Sequence, residues 1–263
     1  DETAVKNYYE SLPQEKRPYI LDFHHSNHAT VLFNAMIHPL IEFPIRGVIW
    51  YQGCNNVGRA AQHQALFQTL ITDWRKCWKN PDMPFYFVQL ANYLQPSDLQ
   101  PESQWALLRE SQADALCLPH TGMVSNIDLG DAKDIHPKTK REVGRRMAAI
   151  ALNQTYGKHK TAFTAPVYER YTVEADGIHI HFATPQGSEP LIIEDNLPGF
   201  ILAGANRQWH VAKAKVLSGN EVVVSCQGVH FPVAVRYGWA DNPTCTLRTQ
   251  SGLHVAPFRT DRW

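Results

Sequence analysis

Between residues 45 and 157 the chain alternates continuous apolar runs with amphipathic ones, and few architectures accept that order. The apolar runs are "IRGVIWYQG" (45–53), "PFYFVQLAN" (84–92) and "TGMVSNIDL" (121–129). Each is rich in β-branched and aromatic residues and lacks a polar alternate face, the pattern of a strand buried on both sides. Between them lie helical segments. "QALFQTLITDWRKCW" (64–78) places Leu66, Leu70, Trp74 and Trp78 at spacing four, with Phe67 and Ile71 beside them. "SQWALLRESQADALCL" (103–118) is a second helix. "KTKREVGRRMAAIALNQTYG" (138–157) is a third, with Val143, Met147, Ile150 and Ala151 inward, a Glu142–Arg146 pair, and Gly157 at the C-cap position. Strand and helix in turn predict a parallel sheet covered by helices. Upstream, shorter helices are expected at 3–11 and at 31–41, the latter ending near His38 because Pro39 follows.

Past residue 158 the pattern changes to short alternating runs divided by Gly, Asn, Asp and Pro, among them "DGIHIHFAT", "GFILAG" and "PVAVRYGWA". These predict an antiparallel β-domain. The division is placed at 1–160 for the α/β part and 161–263 for the β part. Lys+Arg and Asp+Glu balance at 25 each, so no basic excess points to nucleic acid. No apolar run reaches the ~20 residues of a membrane span. The five cysteines show no CxxC spacing, which favours buried thiols over a metal site or a disulfide framework.

Functional groups of parallel sheets gather where strands end at the carboxyl edge. The first apolar run ends in "WYQGCNN" (50–56), where Gln52, Gly53, Asn55 and Asn56 supply amide donors suited to an oxyanion. The third ends in "NIDLGDAKDIHP" (126–137), where Asp134 stands two residues before His136 and Pro137 restricts the backbone behind the ring. An acid can hold a histidine's tautomer and stabilise its imidazolium. Spacing alone leaves both loops open to plainer readings, a Gly/Asn turn for the first and a helix cap for the second.

Longer motifs narrow the choice. "GVIWYQGCNNVGRAAQHQALFQTLITDWRKCW", "DIHPKTKREVGRRMA", "LFNAMIHPLI", "FYFVQLAN" and the closing "PVAVRYGWADNPTCTLRTQSGLHVAPFRTD" resemble the sialate O-acetylesterase family of SGNH/GDSL-type hydrolases. The resemblance runs through nearly all the chain from about residue 31. It implies an SGNH-hydrolase-like, flavodoxin-like three-layer α/β fold followed by a smaller antiparallel β-domain. It implies a carbohydrate O-acetylesterase acting on 9-O-acetyl sialic acid or related glycans, with His136 as base, Asp134 as its partner, and Gln52, Gly53 and Asn56 at the oxyanion and substrate site. Neither metal nor cofactor is implied, and the location would be secreted, periplasmic or lysosomal. The chain departs from the family in two places. Cys54 stands where the family has Glu, and a thiol cannot accept a carboxylate's hydrogen bonds. The family's nucleophilic serine, in a G-Q-S-N block, has no counterpart. The chain opens on Asp1-Glu2-Thr3 rather than Met. The expectation is therefore that an N-terminal segment of the same precursor carries the serine.

Other readings remain: a non-catalytic binder of acetylated glycans, an acetyl xylan or hemicellulose esterase, or a thiol hydrolase using Cys54. Ser26 is a weak nucleophile candidate, since no glycine or apolar strand leads into it. His24, His25 and His28 read as a polar loop, His179 and His181 as surface or half-buried residues, and the Asn153-Gln154-Thr155 sequon as accidental. Two spatial expectations follow: Asp134 and His136 lie within hydrogen-bond reach, and Cys54 lies beside His136.

Overall fold

The computed structural model describes residues 2–14, 30–158 and 161–263. Helix α1 spans Glu2–Ser11. The 31–41 region is helical but irregular, a wide turn over Phe33–Ile37 followed by a tight one over His38–Leu40. Pro39 does not end it, because it falls in the first turn of the tight segment, where its missing N–H is no loss.

Strands β1 (Val48–Trp50), β2 (Phe85–Val88) and β3 (Thr121–Val124) form a parallel sheet in the order β1-β2-β3. Helices α2 (Ala60–Cys77) and α3 (Gln104–Ala113) lie on one face, and α4 (Lys140–Ile150) on the other. Phe67 and Ile71 of α2 pack with Val48, Phe85 and Phe87; Val143, Met147 and Ile150 of α4 pack with Tyr86, Val88 and Val124. Alternate strand residues therefore feed opposite layers, which is why the central strand β2 is wholly buried. Ser103 caps α3, its hydroxyl accepting from the Ala106 N–H at 2.9 Å. Gly157 takes φ +64° past α4, as its C-cap role requires.

Two expectations need correction. The buried stripe of α2 runs through His63, Phe67, Ile71 and Arg75, not Leu66, which is 54% exposed. His63 and Arg75 escape an apolar count yet are buried with partners: His63 Nδ1 meets Ser111 Oγ at 2.8 Å, and Arg75 donates to the Met83 and Pro119 carbonyls. The first strand is short and lies at the sheet edge. Its Ile49 is 65% exposed, while Val48 is buried and Trp50 half-buried under α2, so only Ile49 faces open space.

The remaining strands are antiparallel. β4 (Val167–Glu174), β5 (Gly177–Ala183), β8 (Lys213–Ser218) and β9 (Glu221–Ser225) make one sheet, ordered β4-β5-β9-β8. β6 (Phe200–Gly204), β7 (Trp209–Val211), β10 (Pro232–Tyr237) and β11 (Phe258–Arg259) make the other, ordered β11-β10-β6-β7. Ile178, Ile180 and Val222 of the first sheet share a core with Leu202, Val235 and Tyr237 of the second, so the sheets face each other as a sandwich. His179 is not a surface residue: its side chain is 8% exposed. Asn153 is also buried, and its Nδ2 donates to the carbonyls of Ala149 and Thr161, which agrees with an accidental sequon. All five cysteines are free. Among the described residues no helix is long and apolar enough to cross a membrane.

Several contacts bolt the antiparallel half to the parallel sheet, and one seam runs through α3. The fully buried Arg109 of α3 donates to the carbonyls of Leu90 and Ala91 after β2, and to those of Ala240 and Asp241 after β10. Burial lowers its pKa to about 9, which leaves it charged at neutral pH. Asp241 in turn accepts from Gln100 and Ser103 at 2.7 Å each.

Candidate active site

The loop after β1 is built around Gly53, whose φ of +150° suits glycine. A side chain there would come 3.0 Å from Gln112 Nε2. Gln112, almost wholly buried on α3, fixes the loop: its Oε1 accepts from the Leu90 N–H at 2.9 Å and its Nε2 donates to the Gln52 carbonyl at 3.1 Å. Cys54–Asn56 form a single tight turn. The structure brings Gln52 and Asn56 together, Gln52 Nε2 donating to Asn56 Oδ1 at 2.8 Å, and leaves the exposed Gln52 amide a second N–H.

The loop after β3 is held at both ends. Arg146 of α4 grips its start, donating to the Ser125 carbonyl and, in a two-pronged contact of 2.7 and 2.6 Å, to Asp128. Beyond, carboxylates stitch the backbone. Asp131 Oδ1 accepts from the Lys133 and Asp134 N–H groups, and Asp134 Oδ1 accepts from the His136 N–H at 2.9 Å. The His136 ring Nδ1 stands 3.6 Å from the same oxygen, within ion-pair range but longer than a hydrogen bond. Its side chain is 84% exposed, whereas Pro137 beneath it is buried.

The two loops meet. Cys54 and Ile135 pack against one apolar cluster of Leu90, Trp105 and Leu108. Lys140, four residues past His136, lies 4.9 Å over the Tyr51 ring. Burial raises the Cys54 thiol pKa, which keeps it protonated at neutral pH and a poor nucleophile. Ser26 and the histidines at 24, 25 and 28 lie outside the described residues.

Sequence reasoning passed over the end of the second strand. Gln89 and Asn92 both stand there, and the same strand-end rule pointed to them. Asn126, two residues past β3, was also missed: it is fully buried, and its side chain pairs with the Tyr51 hydroxyl, which works against the rise that burial causes in the Tyr51 pKa. The Ser125 hydroxyl and the Trp50 indole N–H are buried without partners among the described residues. Unpaired polar atoms therefore gather at the carboxyl edge, where burying them is costly.

Helices on both faces of a parallel sheet, with an amide loop and an acid–histidine loop leaving one edge, define an α/β protein with its candidate functional groups at the strand ends. Residues 23–153 match the carbohydrate esterase, sialic acid-specific acetylesterase family. The chain is 29% identical to mouse sialate O-acetylesterase, over 87% of this chain and 47% of the relative. It is 27% identical to the human sialate O-acetylesterase, over 87% of this chain and 48% of the relative. The solved structure of a carbohydrate acetylesterase from Xanthomonas citri superposes with a TM-score of 0.81 at 40% identity, covering 89% of this chain and 54% of that one. The chain thus spans about half the length of the curated relatives it matches.

Proposed function

We propose that the chain is the C-terminal portion of a carbohydrate O-acetylesterase of SGNH type, removing acetyl groups from sugar hydroxyls such as those of 9-O-acetyl sialic acid. The observation that carries this reading is the meeting of the Gln52 and His136 loops on one apolar cluster at the carboxyl edge. Residues 1–160 belong to the esterase domain and 161–263 to its antiparallel companion. A serine from an upstream segment attacks the acetyl carbonyl while His136 takes its proton, and Asp134 steadies the imidazolium. The Gly53 N–H and the amides of Gln52 and Asn56 receive the negative charge on the carbonyl oxygen. The tetrahedral adduct collapses, the sugar oxygen leaves with the proton from His136, and water activated by the same histidine frees acetate. The 3.6 Å gap between His136 and Asp134 suits a base without substrate, since such contacts tighten in the reacting complex. An enzyme of this substrate class fits a secreted, periplasmic or lysosomal location.

Cys54, standing in place of the family's glutamate, favours a second reading: an acetylated-glycan binder without turnover. The experiment that separates them is hydrolysis of p-nitrophenyl acetate and of 9-O-acetyl sialic acid by the full-length protein and its His136→Ala variant. Activity lost by about 10³-fold or more in the variant supports the esterase. A full-length protein that binds acetylated glycans but turns over neither ester supports the binder.

A further inference from the structure

We infer that Asn92, oriented by Asn242, is the positioning residue of the His136 loop, so that the turn after β10 in the antiparallel half sets where the base stands. This rests on His136 being the base.

The ring of His136 is exposed and, among the described residues, meets one carboxylate, at 3.6 Å, so its place is set by its backbone. From Asp131 to His136 that backbone is a self-tied unit, each turn closed by an aspartate on an N–H two or three residues on. Such a unit holds its own shape but needs a tether to the sheet. The tether nearest the unit's start is at Gly130, whose N–H donates to Asn92 Oδ1 at 2.7 Å, followed by a parallel bridge between Tyr93 and Asp131. The approach is so close that a Cβ on Gly130 would lie 1.7 Å from the Asn92 carbonyl oxygen. Gly130 is therefore a contact point that no other residue can occupy in this backbone path.

Asn92 is itself oriented. Its Nδ2 donates to Asn242 Oδ1 at 2.7 Å, and Asn242 Nδ2 donates to the Leu94 carbonyl at 2.6 Å. Each amide thus gives with its nitrogen and receives with its oxygen. Turning over either one would set like atoms face to face, so the relay has a single sense. Its far end is rigid. Asn242 is buried, its carbonyl accepts from the Ser97 N–H, and the preceding Asp241 is held by Gln100, Ser103 and Arg109. Tyr93 N–H also bonds the Asp241 carbonyl, so the segments carrying the two asparagines are fastened side by side.

The test uses the full-length protein. Asn92→Ala removes the acceptor for Gly130. It should speed amide hydrogen exchange at residues 130–136 and lower kcat by about 100-fold, the cost of small misplacements of a catalytic group, with KM little changed. Asn92→Asp keeps the acceptor for Gly130 but loses the donor to Asn242, so it should recover part of the exchange protection and part of kcat. Asn242→Ser, which shortens the relay away from the loop, should give the same changes in smaller measure and serves if Asn92→Ala does not fold. Unchanged exchange and kcat in folded Asn92→Ala or in Asn242→Ser would overturn the inference. So would a lowered Tm with the kcat of the folded enzyme intact. Full activity in His136→Ala would overturn both this inference and the reading of His136 as base. An inactive His136→Ala beside an unaffected Asn92→Ala would overturn this inference alone.

Discussion

His179 shows how far one residue can depart from its sequence appearance. In an alternating strand it reads as an outward histidine, yet three carboxylates close over it: Glu221 at 2.8 Å, Asp176 at 2.9 Å and Glu174 at 3.7 Å. Burial opposes its charge, but the hydrogen bonds to Glu221 and Asp176 outweigh that and raise its pKa above the ordinary 6.5. A raised histidine stabilises the fold below pH 6.5 and loses that contribution as pH climbs through its folded pKa. The contribution of His179 to Tm should therefore fall as pH rises from the acid side of neutrality, read as the difference between the parent protein and His179→Gln, which should shrink with rising pH. The candidate site was more legible than this residue. Asp134 and His136 stand out because their spacing and the proline are local, and Gln52 because it ends a strand. The pairing of Asn92 with Asn242 was not legible, since 150 positions separate partners that only the folded chain brings together.

At the level of elements, periodicity found the parallel strands and α2, α3 and α4, but missed β4 and misplaced the stripe of α2. β4 is exposed along most of its length, so no apolar alternation marks "VYERYTVE". The α2 stripe includes His63 and Arg75, whose hydrogen bonds let polar groups take core positions. Helix α4 illustrates the energetics of such polar anchoring. Hydrogen bonds from Arg145, and from Arg146, hold the Glu142 carboxyl down to about 2. A depressed carboxyl stabilises the fold above its unfolded pKa near 4.5 and loses that as pH falls toward about 2. Glu142→Gln should cost about 1 kcal/mol in urea unfolding at pH 7, the scale of a part-exposed ion network, and nothing near pH 2. On α3, Arg109→Met would leave the Leu90 and Ala240 carbonyls without a donor and strip one from those of Ala91 and Asp241, which keep the Trp105 indole N–H and the Tyr93 N–H. A loss of about 3–5 kcal/mol is expected, read as a lower denaturant midpoint.

The whole molecule pairs a closed sandwich with an open parallel sheet. The edge of β1 has no partner strand among the described residues, and Ile49 is exposed beside it. Exposed apolar side chains of the preceding helical stretch include Leu32, Met36, Leu40 and Phe43. Unpaired edges of this composition recruit other chains. Residues 1–263 produced alone should self-associate in sedimentation and lack esterase activity. Co-production with the upstream half should yield a soluble 1:1 complex, whereas a monomeric, active 1–263 would count against the proposed serine from upstream.

The Arg109 seam bears on how such a protein can diversify. The carbonyls after β2 and those after β10 share one guanidinium, so neither half carries a complete lining of its own. Recombination near residue 160 that grafted a foreign sandwich would break that sharing and the Asn92–Asn242 relay in one stroke. Lineages carrying this seam should inherit the two halves as a block, and new specificities should arise by drift within loops and not by shuffling of modules.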